Sequence, residues 1–113
     1  AIIDRLAAAD PAFRATVRPF FDREPFEVAA DAPIVQALAQ AGTAVLRQPP
    51  AHTGATFWTD AAILAAAGLD TVLMGPIGAG LHSDEEWVEV QSVLDLAQIL
   101  AETAVNFCKL PVD

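Results

Sequence analysis

Apolar positions along the chain predict four helices with short extended stretches between them. Ala1–Ala9 reads as a helix closed by Pro11. From Phe13 to Phe21 apolar and polar residues alternate, with Phe13, Ala15 and Val17 set against Arg14, Thr16 and Arg18. That is the period of a half-exposed strand, and Pro19 confines its far end to an edge or a bulge. Arg23–Glu27 is charged, holds Pro25 and suits a crossover. Asp31-Ala32-Pro33 is a helix start with proline in the first turn. Ile34, Val35, Leu38 and Ala41 then keep helical spacing up to Gly42, the expected stop. Thr43–Gly54, with Pro49, Pro50 and His52, reads as a loop or irregular strand, and Thr56–Trp58 as a short strand. Thr59-Asp60 carries an N-cap signal for a helix over Ala61–Ala67 that stops at Gly68. Thr71–Met74 is a short apolar run of the kind buried on both faces of a parallel sheet. Ser92–Phe107 is the longest expected helix, with Val93, Leu96, Ala97, Leu100, Ala104 and Phe107 as its buried stripe.

The second half thus runs strand, helix, strand, loop, helix, which predicts an α/β layer with a short parallel sheet. The first thirty residues do not follow that alternation and read as the exit from a different module, with a boundary near Pro25–Asp31.

Composition changes this picture in two ways. Of 113 residues 54% are hydrophobic, but 24 are alanine and only eight are aromatic, so any core is built of small side chains. The net charge of −9 argues against nucleic acid and against an anionic membrane surface as partners. The single cysteine, Cys108, excludes an internal disulfide and a cysteine-based zinc site, fits a reducing cytoplasm, and is expected to pack rather than react. No apolar run reaches the length of a membrane span, and no signal-peptide pattern opens the chain.

Candidate chemistry centres on the loop Gly75–His82, which leaves the carboxyl end of an expected strand, where α/β proteins place their sites. Neutral imidazole at His82 suits zinc, and a nearby carboxylate could orient the ring. From local sequence alone a surface turn with an incidental histidine is the simpler account. His52 reads as an exposed loop residue, Asp84-Glu85-Glu86 as a solvated face, and Asp60 as a helix cap. No following Lys-Ser/Thr makes the loop a phosphate cradle, and Ser83 beside His82 has no glycine elbow.

Three blocks in fixed order give a more specific signal: Gly54-Ala55-Thr56-Phe57-Trp58-Thr59-Asp60-Ala61-Ala62, Ala67-Gly68-Leu69-Asp70-Thr71-Val72-Leu73-Met74-Gly75-Pro76, and His82-Ser83-Asp84-Glu85-Glu86-Trp87-Val88. Together they resemble the C-terminal end of the acetylornithine deacetylase / succinyl-diaminopimelate desuccinylase family of zinc-dependent amidohydrolases and exopeptidases. The resemblance implies an α/β catalytic domain over residues 29–113, the C-terminal part of a zinc-exopeptidase-type domain. Residues 1–28 would then be the tail of an inserted α+β lid, or dimerisation, domain. It also implies a homodimer, two zinc ions (or cobalt), and hydrolysis of the amide bond of an N-acyl amino acid or small peptide by a metal-activated water.

By this resemblance His82 is a metal ligand, Glu86 a residue that orients or supports it, and Thr59, Asp60 and Gly78 substrate contacts. No catalytic base falls within these residues. The bridging carboxylate, the remaining ligands and the general-base glutamate are expected upstream, so the chain is expected to be the C-terminal portion of a longer enzyme and inactive by itself. Some branches of the family place an arginine directly after the Thr-Asp step; Ala61 and Ala62 stand there, which leaves the substrate branch open. A second reading is a stand-alone binding module that keeps the fold and has lost the chemistry, and a third is a structural fragment with no function of its own.

Overall fold

The computed structural model describes residues 2–108. Its helices are α1 (Ile2–Ala9), α2 (Pro33–Leu46), α3 (Ala61–Ala66) and α4 (Val90–Cys108), with two short strands, β1 (Gly78–Ala79) and β2 (Trp87–Val88), just before α4. The radius of gyration is 20.4 Å, against about 13 Å for a closed globule of this length. The most extensive contact between elements is that of α2 against α4.

Helix α2 begins as expected. Ala32 has extended backbone angles and Pro33 follows at the first helical position, where its missing N–H costs nothing. The Gln36 side chain ties the approach by donating from Nε2 to the Ala30 carbonyl at 2.8 Å. The helix does not stop at Gly42, however. It runs on to Leu46 and ends at Arg47, which takes the left-handed conformation (φ 61°) and donates its N–H to the Thr43 carbonyl. Gly42 is buried inside the helix, and a Cβ there would meet Pro50 Cγ at 3.0 Å. The glycine is a notch for the returning loop, not a helix terminator.

The expected stop at Gly68 is present in full. Gly68 has φ +82°, its N–H bonds the Ala65 carbonyl, and the Leu69 N–H bonds the Leu64 carbonyl. That pair of bonds is a Schellman closure, which needs a residue without a Cβ at its left-handed position. Asp60 caps the start of α3 only through its backbone carbonyl. Its own angles are already helical (φ −61°, ψ −14°), so its carboxylate makes no capping bond.

The core lies where α2 meets α4. Leu38, Ala41 and Ile99 are buried, and Val45, Leu46, Val72 and Met74 pack against them. Thr103 is buried beside them and satisfies its hydroxyl by donating to the Ile99 carbonyl at 2.7 Å. The buried face of α4 therefore differs from the expected stripe. Leu96 and Phe107 are half-buried, but Val93 and Leu100 are 41% and 48% exposed, and Ala97 and Ala104 are exposed too. Cys108, expected to pack, is exposed.

Three expected strands are absent from the described residues. Phe13–Phe21, Thr56–Trp58 and Thr71–Met74 have no ladder partner and run as irregular chain. The pairing that does form is antiparallel, between β1 and β2. Val72 and Met74 nonetheless turn toward the core while Leu73 is exposed, an alternation of side chains without a sheet.

Candidate functional site

Two places gather the candidate residues. The first is the hairpin that carries His82. Gly78 faces Val88 and Ala79 faces Trp87 across the ladder. The Glu89 N–H donates to the Ile77 carbonyl at 2.8 Å and extends the ladder by one step. Both glycines have steric reasons to be there. A Cβ on Gly78 would lie 2.5 Å from the Trp87 carbonyl oxygen, and one on Gly80 would fall on the Glu85 carbonyl. Gly80 also has φ +77°, open to glycine at no steric cost. The loop then folds on itself, with the Ser83 N–H and hydroxyl both donating to the Gly80 carbonyl at 2.8 and 2.7 Å.

His82 sits in this loop with φ 63°. Only a few per cent of non-glycine residues take that conformation, histidine being among the enriched ones. The loop presents the imidazole exposed. Glu86 is four residues further along the same loop and is also exposed. Gly78, His82 and Glu86 are therefore brought together by one hairpin.

Ser92 fixes that hairpin to α4. Its hydroxyl accepts the Ile77 N–H at 2.9 Å and donates to the Glu89 carbonyl at 2.7 Å. Ser92→Ala removes the acceptor of the Ile77 amide at the base of the hairpin. Its expected cost is about 1 kcal/mol, visible as faster hydrogen exchange at Ile77 and Glu89 with the core of α4 unchanged. Unaltered exchange at Ile77 would show that the hydroxyl does not hold the hairpin.

The second place is an open cleft of about 1070 Å³ between residues 25–30, the start of α2, residues 50–59 and residues 72–75. Thr59 lines it and is half-buried. Asp60, Gly78, His82 and Glu86 are not part of its wall. His52, which reads as an ordinary loop residue, does line the cleft and is exposed.

Next to the cleft, the Arg23 guanidinium lies over the Phe21 ring at 4.3 Å and over the Trp58 ring at 5.4 Å. In the sequence Arg23 belongs only to the charged crossover Arg23–Glu27. Its alternation with Phe21 and its nearness to Trp58 appear only once the two segments are folded together.

Among the described residues no three histidine, cysteine or carboxylate side chains converge to hold a metal ion. A catalytic zinc takes about three protein donors and an open position, so these residues do not by themselves fit such a centre. They offer His82 as a single presented donor. No described helix is long and apolar enough to cross a membrane.

The family model described as Peptidase family M20/M25/M40 covers residues 6–106, nearly the whole chain. No curated protein and no solved structure matches it.

Proposed function

The chain belongs to peptidase family M20/M25/M40, a family of metal-dependent peptidases and amidohydrolases, and from that premise we propose that it is part of an enzyme that hydrolyses the amide bond of an N-acyl amino acid or small peptide. The observation that carries the reading is the presentation of His82. Two glycines that tolerate no Cβ shape a hairpin that holds this histidine exposed in a left-handed conformation. Backbone of that kind is kept at sites where the surrounding structure over-determines it, and imidazole is the commonest protein metal ligand. His82 is proposed as one donor to zinc or cobalt, with the other donors and the general base supplied by residues outside this chain. Glu86 is proposed to support His82 from the same loop, and Thr59, on the cleft wall, Asp60, its chain neighbour, and Gly78, on the hairpin, to meet the substrate. The acetylornithine deacetylase / succinyl-diaminopimelate desuccinylase branch is the proposed subfamily, in a homodimer. Residues 29–113 are proposed to be the catalytic portion and residues 1–28 the end of a lid domain.

The test is hydrolysis of a panel of N-acetyl and N-succinyl amino acids by the intact protein, with metal content measured in parallel. Chelation is expected to abolish turnover, and zinc or cobalt to restore it. Turnover of none of the panel by metal-loaded protein would overturn the hydrolase reading in favour of a binding module. Turnover indifferent to chelation would overturn its metal dependence.

A further inference from the structure

The β1–β2 hairpin has two unlike faces. Side chains alternate across a strand, so Gly78 and its ladder partner Val88 share one face, and Ala79 and its partner Trp87 share the other. Ile77 stands one step before β1, where its carbonyl accepts the Glu89 N–H. The same alternation puts Ile77 on the face of Ala79 and Trp87. Ile77 and Trp87 are then diagonal neighbours, about 7–8 Å apart, and Ala79 lies beside both with a single methyl group. The result is a shallow notch with an isoleucine on one wall, an indole on the other and a methyl floor.

The notch is open. Ile77 is 62% exposed and Trp87 57%, and Ala79 is exposed as well. Single exposed apolar side chains are ordinary, but two of this size facing one another across a ladder make a patch. Two features of the same hairpin say what it takes. His82, the proposed metal donor, lies three residues beyond Ala79, so a ligand that reaches this histidine can lay its next few carbons on the notch. The other ionisable side chains of the hairpin, Asp84, Glu85, Glu86 and Glu89, are all acidic and all exposed. They repel an anionic tail and leave an uncharged chain as the favoured occupant.

We propose that Ile77, Ala79 and Trp87 form an acyl subsite that takes an uncharged alkyl chain and disfavours an acyl group ending in a carboxylate. This deepens the hydrolase reading and rests on it for the substrate class, but the subsite is a matter of binding and is tested as such.

The probes are three 4-oxo acids, uncleavable analogues in which a methylene replaces the amide N–H of an N-acylglycine. They are 4-oxopentanoic acid for the acetyl group, 4-oxoheptanoic acid for butanoyl and 4-oxoheptanedioic acid for succinyl. Binding of each to the intact, metal-loaded protein is measured by calorimetry, and hydrolysis of N-butanoylglycine is followed separately. 4-Oxoheptanoic acid is expected to bind more tightly than 4-oxopentanoic acid, by about fourfold for each added methylene, and more tightly than the diacid. Ile77→Ala and Trp87→Ala are each expected to lose most of that chain-length gain. Hydrogen exchange at Glu89 reports whether the ladder survives each substitution. Equal binding of the two monoacids by the wild type, a diacid that binds as tightly as 4-oxoheptanoic acid, or a chain-length gain that survives both substitutions overturns the subsite even if N-butanoylglycine is hydrolysed. Loss of the ladder in both variants shows that the two side chains hold the hairpin instead of a ligand, and overturns it too. A chain-length gain that disappears with Ile77 or Trp87, in a protein that hydrolyses nothing, supports the subsite and overturns the hydrolase reading.

Discussion

In the intact protein, His82→Asn is expected to lower metal content and amide hydrolysis together, by about a hundredfold or more. Loss of a group that merely orients a metal-bound histidine costs about ten- to a hundredfold, so loss of a donor itself takes the upper figure as its floor. Asparagine is the informative replacement because His82 stands at φ 63°. Asparagine accepts that conformation, whereas alanine there adds about 1–2 kcal/mol of backbone strain. With asparagine the hairpin keeps its ladder, and any loss of metal reports the imidazole alone. The check is elemental analysis beside turnover, with hydrogen exchange at Ser83 and Glu89 to confirm that the loop is intact. Unchanged metal content in a folded His82→Asn protein would remove His82 from the ligand set.

How much of this was legible beforehand depends on whether the deciding interaction is local. Pro33 at a helix start and Gly68 at a helix stop act within a few residues of chain, and both were read correctly. Gly42 has the look of a stop and is none, because its role is set by Pro50, eight residues away and folded back onto α2. The strand readings at Phe13–Phe21, Thr56–Trp58 and Thr71–Met74 rested on alternation. Alternation says which side chains can share a face, but a strand also needs a neighbour to receive its backbone bonds. The described residues provide that neighbour only for β1 and β2, whose two-residue length left no pattern to read.

The site divides in the same way. His82 was singled out by its loop and by resemblance, while its left-handed backbone comes from the closure around Gly80 and Ser83. Arg23 carries no motif. It becomes visible only when residues 21–23 and Trp58 meet in space.

The face of α4 is the sharpest disagreement, and it separates two substitutions. Beyond the α2 contact the helix also carries Val90, Val93, Leu94, Leu100 and Val105, all exposed. It is apolar around most of its circumference, and periodicity alone cannot choose the buried side. Helix α2 makes the choice by packing on Ile99, which is 1% exposed and the largest fully buried side chain described. Ile99→Ala is therefore expected to cost about 2–5 kcal/mol, the range for emptying a large apolar side chain from a core. The upper half of that range applies if α2 and α4 cannot close over the cavity. Val72 and Met74 share the same cluster, so the segment leading into the hairpin should loosen with it. Leu100 belongs to the expected stripe but is 48% exposed, and Leu100→Ala is expected to stay within about 0.5 kcal/mol. Urea unfolding of both variants decides which face is the core. Comparable losses at the two positions would mean that α4 buries its other side as well, and equal indifference would mean that the α2–α4 contact does not hold the fold.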